Sequence, residues 1–475
     1  MVKSAEKKSS TSNKMNMCEG KIMPLLIKFA FPLLITGVLQ VLFNAADMIV
    51  VGQFSKNKEL CVAAVGSTGS LVALLVNVFI GLSVGVNVLC ARYFGSKEHE
   101  GLSKTVHTAV VLSVILGVFL SIVGFFGAEF FLKLMQTPSD VLPLSTLYLR
   151  IYFLGMVPAL VYNFTSAILR AVGDTKRPMY FLTIAGITNV VLNVVLVMFF
   201  HLDVAGVAIA TVASQIISAT LTVICLLRDD GAIKLHLPKL KIYKDKLIQI
   251  IKIGLPAGIN SAMFSVSNII MQSSINIYDT VMAGGAGIVV AGCSAAASVE
   301  GLSFTALDSI YQAIVSFTGQ NFGMRNYDRI KKAQKYGHIL VLVLGFALSA
   351  LMFVFAEPLI SLYMAKDAAE AIEIGANRIR IIGSASIILG CANVIIGAMR
   401  GLGYSLVPMI SSIICICGVR ILWIFTVFQA WFNIYVLYAC FPISYALSLI
   451  VQAICFVYVM KDVQRKYPPL NELTK

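Results

Sequence analysis

The sequence predicts an all-α integral membrane protein in which twelve transmembrane helices form two pseudo-symmetric six-helix bundles around a central cavity. Three observations predict this architecture: the apolar composition, the number of long apolar runs, and a repeat that relates the two halves of the chain. Hydrophobic residues make up 58% of the sequence and charged residues 13%, whereas soluble globular domains carry about 25% charged residues. The composition therefore excludes an ordinary soluble protein.

Twelve apolar runs are long enough to cross a hydrocarbon core of about 30 Å. We expect every run to be helical, because lipid cannot satisfy the open backbone groups of loops or sheet edges. The runs lie near 25–51, 61–91, 105–127, 142–168, 179–200, 204–227, 247–277, 287–318, 336–355, 372–398, 405–428 and 434–460.

Basic residues are distributed unevenly between the two sides that these spans define. The side that includes both termini carries 27 Lys and Arg residues, and the other side carries four. Because cytoplasmic loops concentrate Lys and Arg, this asymmetry predicts a multi-pass protein of the cell membrane with both termini in the cytoplasm. It also accounts for the formal net charge of +14 without a nucleic-acid partner.

The two halves of the sequence repeat each other. Lys28 and Pro32 recur as Lys252 and Pro256. Later residues recur 230 positions on, where Arg150, Asn163, Arg170, Gly173 and Pro178 match Arg380, Asn393, Arg400, Gly403 and Pro408. Six helices per half, entering from the same side, make a parallel repeat with an expected ligand site between the bundles. The predicted organisation is a cytoplasmic N-terminal tail (1–24), a first bundle (25–227), a basic linker (228–246), a second bundle (247–460) and a cytoplasmic C-terminal tail (461–475).

The first predicted helix carries an acid inside its apolar run. Asp47 follows Asn44, Gln40 and Thr36 at helical spacing, so these polar side chains should share one face. A carboxylate within the membrane normally faces a cavity and marks an ion or proton pathway. The alternative is that Asp47 lies at the outer end of the helix and meets interfacial water.

Three further polar residues could complete a site around Asp47. Asn189 and Asn193 are four residues apart in the fifth predicted helix, and Thr211 follows in the sixth. Their oxygens, with the carboxylate, would suit a monovalent cation or a protonated acid. The alternative is that the amides only hold helices together through hydrogen bonds. No cysteine pair has a zinc-ligand arrangement with histidine, so we predict no metal site.

The second half repeats the polar stripe but not the acid. Asn268 is the equivalent of Asn44 and lies one turn before Gln272, whereas the equivalent of Asp47 is Met271. A polar stripe in each half should face the cavity between the bundles. The residues that we expect to line this cavity are Gln40, Asn44, Asn268, Gln272 and Glu300.

Several other charged residues lie within or at the ends of the predicted helices. Glu300 lies about 20 Å along the eighth helix and is the strongest acid candidate there. Asp308 lies on the same helical face as Glu300 and could take part in the same site. The alternative is that Asp308 is a solvated residue near the cytoplasmic end of the helix. Arg150, Arg378 and Arg380 should extend to the outer interface, as long basic side chains near helix ends do.

Two motif searches limit the function classes. Gly81-Leu82-Ser83-Val84-Gly85 satisfies G-x-S-x-G, but it lies within a helix, so we interpret it as a G-x-x-x-G helix-packing face. Neither H-E-x-x-H nor G-x-x-x-x-G-K-[ST] occurs in the sequence. We therefore predict no enzyme, no cofactor and an ion gradient as the energy source.

Four segments together resemble the multidrug and toxic compound extrusion (MATE) transporters. They are Asn44-Ala45-Ala46-Asp47 in the first helix, LRAVGDTKRP at 169–178, GVAIAT at 206–211 and GQNFG at 319–323. The resemblance covers about residues 25–460. It implies export of mostly cationic, amphipathic compounds in exchange for protons or sodium, by rocking between outward-open and inward-open states.

The resemblance also assigns roles to residues. The cation site described in the first bundle of relatives falls on Asp47, Asn189, Asn193 and Thr211. Relatives often carry Asp at the position of Asn193, and the missing charge disfavours sodium, so we expect coupling to protons. The resemblance further implies that the chain is an antiporter of organic cations or drugs. We expect it to act as a monomer in the bilayer. The alternative is a flippase or exporter of a lipid-linked or polar metabolite, which would have a cationic rather than an acidic cavity lining.

Overall fold

The computed structural model describes residues 14–55, 57–135, 137–282, 284–285, 287–364 and 368–469. Across these residues the regular secondary structure is helical, with no strand. Eleven helices there are long and apolar enough to span a membrane, and one bent helix pair completes a set of twelve. They are α1 (Ile22–Phe54), α2 (Lys58–Gly95), α3 (His99–Leu134), α4 (Leu142–Leu154 and Met156–Ala171), α5 (Lys176–Phe199), α6 (Asp203–Leu227), α7 (Lys244–Met282), α8 (Ile288–Gly323), α9 (Tyr327–Val354), α10 (Ala369–Gly401), α11 (Leu406–Ala430) and α12 (Ile434–Lys466).

The helices confirm the predicted fold class, and many extend beyond the apolar runs that predicted them. The run at 105–127, for example, lies within α3, which spans His99–Leu134. An apolar run marks only the part of a helix inside the hydrocarbon core, while polar turns at either end continue the backbone hydrogen bonding. Apolar side chains on the outer surface, such as Phe126, Phe346 and Ile454, are more than half exposed, as suits helices that face lipid.

The sequence repeat is visible in the backbone where α4 and α10 end. Gly173 and Gly403 both adopt left-handed backbone angles, with φ of +87° and +90°. The N–H of Gly173 donates to the carbonyl of Arg170 at 2.9 Å, and that of Gly403 donates to the carbonyl of Arg400 at 2.8 Å. Glycine adopts this conformation without the steric cost that other residues meet. Arg170 and Arg400 therefore hold equivalent positions in the two halves.

The two halves meet along a contact between glycines of α2 and α7. A Cβ on Gly81 would overlap the Cα of Gly258, and a Cβ on Gly85 would overlap the carbonyl oxygen of Ile250. Backbones can approach this closely only where side chains are missing. The prediction that Gly81 and Gly85 form a helix-packing face is thus confirmed.

Hydrogen bonds also join the halves on the side where α1 begins and α12 ends. Ser316 Oγ donates to Asn87 Oδ1 at 3.1 Å, and Gln320 Nε2 donates to the carbonyl of Ala171 at 2.8 Å. The segment before α1 crosses the same region, where the buried Met17 donates its N–H to Gln320 Oε1 at 2.9 Å. These contacts form a floor beneath the space between the halves.

Candidate functional site

A cavity of about 850 Å³ lies between the two halves. Of the residues that the sequence predicts in its wall, the structure brings four there: Gln40, Asn268, Gln272 and Glu300. Asn44 is not part of the wall that the described residues form, and its side chain is exposed. The contribution of α1 ends at Gln40, one turn before Asn44, because the helix leaves the cavity there.

The cavity wall is richer in arginine than the sequence analysis predicts. Its charged side chains among the described residues are Arg170, Arg378, Arg400, Arg420, Glu300 and Asp308. Asp308 lies in the cavity wall and not at a solvated helix end, because α8 continues for another 15 residues to Gly323. In the sequence, Arg170 and Arg400 are among the 27 basic residues on the side of both termini, and no sequence motif assigns a role to Arg420. An arginine inside an apolar run is itself a sign of a buried role, and that sign identifies Arg420.

Glu300 and Arg378 form a buried ion pair in the wall. Arg378 donates from Nε to Glu300 Oε1 at 3.1 Å and from Nη2 to Oε2 at 3.2 Å, and both side chains are less than a tenth exposed. The prediction that Arg378 extends to the outer interface is therefore wrong, because the carboxylate offers it two charge-assisted hydrogen bonds inside the protein. Arg150 and Arg380 do remain partly exposed.

The other three arginines in the wall, Arg170, Arg400 and Arg420, form no ion pair with any described residue. The guanidinium of Arg420 lies 4.1 Å above the ring of Phe441, and its Nη1 donates to Asn268 Oδ1 at 3.4 Å. Arg400 donates from Nη1 to the hydroxyl of Tyr311 at 2.5 Å. In Arg400 and Arg420, Nε and Nη2 are buried without a hydrogen-bond acceptor.

A second polar cluster lies inside the first half, apart from the cavity wall. Asn193 Nδ2 donates to Asp47 Oδ1 at 2.5 Å and is 3.2 Å from Asn189 Oδ1. Asn189 Nδ2 in turn donates to Thr211 Oγ1 at 3.5 Å. The four residues that the sequence groups as a cation-coupling site therefore lie together, and their hydrogen bonds connect α1, α5 and α6.

The local sequence explains how α5 contributes to this cluster. Asn189 and Asn193 are one turn apart, so both amides lie on the same face of α5. Both side chains are buried, with Asn193 against α1 and Asn189 against α6. A wider, π-helical turn over Val195–Phe199 follows directly. Beyond the cluster, Val51 and Val207 belong to an apolar core of the first half. The two asparagine amides are thus buried, whereas Asp47 and Thr211 are half-buried, and the four side chains satisfy one another in part.

The amide of Asn193 gives the cluster a particular chemical capacity. Its Oδ1 is buried without a partner, while its Nδ2 serves Asp47. An amide can donate N–H to a carboxylate, or accept O–H from a carboxylic acid after it turns over. Among the described residues no basic side chain forms an ion pair with Asp47. The cluster can therefore hydrogen-bond Asp47 with or without a proton.

Twelve spanning helices in two matching halves, with a cavity between them and a polar cluster around an intramembrane acid in one half, define a two-bundle membrane transporter. Residues 32–195 and 265–426 each match the MatE family. The chain belongs to this family, which confirms the resemblance found in the sequence. Members of the family are transporters, so the prediction that the chain is not an enzyme is also confirmed.

Individual proteins are similar over most of their length. The probable multidrug resistance protein YoeA of Bacillus subtilis (strain 168) is 30% identical over 403 residues, covering 83% of this chain and 84% of that protein. A FAD transporter of Shewanella oneidensis is 24% identical over 344 residues, 71% of this chain and 74% of that protein. A solved structure of a multidrug resistance MATE family transporter in an outward-facing conformation has the same fold, with a TM-score of 0.85 and 20% identity over 96% of this chain and 99% of that one.

Proposed function

We propose that this MATE family transporter is a secondary active antiporter that exports small organic molecules in exchange for protons. The observation that supports the proposal most directly is the hydrogen-bonded cluster around Asp47. Its amide partner, Asn193, can bond either protonation state, and no described basic side chain pairs with the acid. Buried carboxylates of this kind carry proton relays in many transporters. Sodium is less well served, because the cluster contains a single carboxylate.

The proton and the transported molecule would act on the same helix at different places. Gln40 lies in the cavity wall, seven residues before Asp47 on α1, or about 10 Å along the axis. Pro32 lies inside this helix and removes one backbone hydrogen bond, which makes bending easier. Protonation changes the hydrogen bond between Asp47 and Asn193, shifts α1 against α5, and so alters the cavity wall at Gln40.

The direction of transport follows from the basic loops. With both termini in the cytoplasm, as the excess of Lys and Arg on that side indicates, the floor of interhelical contacts faces the cytoplasm. The cavity then opens outward, which is the state in which an exporter releases its substrate. A single chain supplies every residue of this scheme, which supports a functional monomer.

A second candidate, an exporter of a polar or anionic metabolite, is favoured by the charges of the cavity wall. Sequence reasoning that counts only the acids favours cationic drugs as substrates. The described wall instead contains four guanidinium groups and two carboxylates, and one of the carboxylates is already paired. The similarity to a FAD transporter agrees with this candidate, since FAD carries phosphate groups.

Transport in reconstituted liposomes tests the proposal. Purified protein would be reconstituted into liposomes, and efflux of rhodamine 123 (a cation) and carboxyfluorescein (an anion) would be followed by fluorescence. A pH gradient and a sodium gradient would be imposed separately at zero membrane potential. We expect the pH gradient alone to drive transport of at least one probe, and a proton ionophore to abolish it. Transport of either probe that follows sodium and ignores pH would overturn proton coupling.

A further inference from the structure

Among the described residues, three arginines of the wall form no ion pair, and two of them, Arg400 and Arg420, offer the same donor edge. Arg378 shows how this edge works, because its Nε and Nη2 hold both carboxylate oxygens of Glu300 at 3.1 and 3.2 Å. Arg400 and Arg420 leave the same two nitrogens without an acceptor, although the side chains are only 6% and 1% exposed. The Nε–H and Nη2–H groups form a fork that matches a carboxylate or phosphoryl oxyanion. Each side chain therefore keeps a donor edge that no acceptor among the described residues uses.

The protein stabilises both guanidinium groups without using this edge. Arg400 is anchored through Nη1 to Tyr311, and Arg420 is anchored through Nη1 to Asn268 and by the ring of Phe441. A buried charged donor that has lost water and gained no acceptor is costly. Because Nε and Nη2 are buried as placed, a change in the side-chain torsions must bring this edge toward the cavity, and an anion that enters then meets donors that no protein acceptor uses.

The charges fall into two groups at different depths. Arg170 and Arg400 interact electrostatically with Asp308, and Arg378 and Arg420 interact with Glu300. Each group thus has two positive charges and one negative charge. The two acids are eight residues apart on α8, which is about 12 Å along the helix. An anion could therefore pass from one positively charged group to the other as it crosses the cavity.

We propose that Arg400 and Arg420 are the anion-binding residues of the cavity, and that the transported molecule is an organic oxyanion bearing carboxylate or phosphoryl groups. This inference rests on the proposed export function, because it names the substrate class of the same cavity. In this proposal the two arginines recognise the transported anion. Arg400 would bind it near the floor, and Arg420 would bind it closer to the opposite side of the membrane.

Binding to the purified full-length chain in detergent tests the proposal with two matched pairs of fluorescent probes. Carboxyfluorescein and rhodamine 123 share a xanthene ring system and differ in the sign of their charge. Riboflavin 5′-phosphate and riboflavin differ by one phosphate group. Fluorescence anisotropy should show that the anion of at least one pair binds about tenfold more tightly or better than its partner, as charge-assisted hydrogen bonds would give. The pair with the larger ratio identifies carboxylate or phosphoryl recognition.

Variants then connect the preference to the two residues. Arg400→Gln and Arg420→Gln should each reduce the preference about tenfold, while Arg400→Lys and Arg420→Lys should keep only part of it, because lysine keeps the charge and loses the fork. Arg380→Gln is the matched control: Arg380 lies on the same helix as Arg400 but pairs with Glu357 at a more exposed position. If a glutamine variant does not fold, the lysine variant supplies the measurement.

Two results would overturn the inference: equal binding within both probe pairs, or an anion preference that the glutamine and lysine variants leave unchanged. Because binding is measured without a gradient, its outcome is separate from that of the proposed function. Anion preference without proton-driven transport would contradict proton antiport alone. Proton-driven transport without anion preference would contradict only the assignment of the substrate class.

Discussion

The two halves of the repeat hold their intramembrane acids in opposite ways. In the first half, Asp47 contacts the neutral amide of Asn193, whereas in the second half Glu300 is held by two nitrogens of Arg378. The position equivalent to Asp47 in the second half is Met271, which is 3% exposed in an apolar core. A carboxylate paired with a guanidinium keeps its charge, while one bonded to an amide can lose it. In the proposed mechanism, proton exchange is therefore separate from the charge of the cavity wall.

The largest expected effect comes from removing each acid in turn and measuring proton-driven transport. Asp47→Asn keeps the size of the side chain and its hydrogen bonding but cannot cycle a proton, so pH-driven efflux should be abolished while the protein still folds. Glu300→Gln should leave the dependence on the pH gradient in place, although transport is weakened. The opposite result would assign proton exchange to the second half. In that case Asp47→Asn would reach the membrane in normal amounts and transport like the wild type, while Glu300→Gln would lose its response to the pH gradient.

Stability should show the reverse order. Glu300→Gln leaves the buried guanidinium of Arg378 without its counter-charge, and breaking a buried ion pair in this way costs about 3–5 kcal/mol. Thermal unfolding in detergent should therefore show a large loss for Glu300→Gln and little change for Asp47→Asn. The double variant Glu300→Gln with Arg378→Gln is the control, and it should regain much of the loss because no unpaired charge remains. An equal loss in the single and double variants would show that packing, and not charge, stabilises this part of the wall.

A smaller effect is expected where the first half is brought closer to a cation site. Asn193→Asp adds a second carboxylate beside Asp47, and affinity for hard cations rises with the number of charged ligands. We expect sodium to accelerate efflux by this variant several-fold while the wild type stays insensitive. Asn189→Asp, one turn away and also buried, is the matched comparison. If sodium also accelerated efflux by the wild type, the explanation that the second carboxylate creates the sodium response would be wrong.

The Asp47 cluster could be assembled from the sequence, but the arginine-rich wall could not. Helical spacing places Asn189 and Asn193 on one face, and the family resemblance joins them to α1 and α6. The orientation of Arg378 and the stacking of Arg420 on Phe441 depend instead on which faces of distant helices meet. Periodicity within one helix describes a face without naming its partner. The same limit applies to Asn44. Helical spacing places it on one face with Gln40, but it does not show that the cavity wall ends at Gln40 along α1.

The smallest expected effect concerns Asn44 and defines how far the first-half site extends. Asn44 is three residues before Asp47 on α1, is exposed, and lies outside the described cavity wall. Because Asn44 lies outside the described wall, Asn44→Ala should alter transport by less than about twofold, and substitutions at exposed positions usually change stability by no more than about 0.5 kcal/mol. Gln40→Ala is the matched control, because Gln40 lies one turn away in the wall and its loss should weaken substrate binding while leaving the response to pH intact. If Asn44→Ala instead abolished proton-driven efflux as Asp47→Asn does, the working unit of the first half would be the whole polar stripe of α1 and not the hydrogen-bonded cluster.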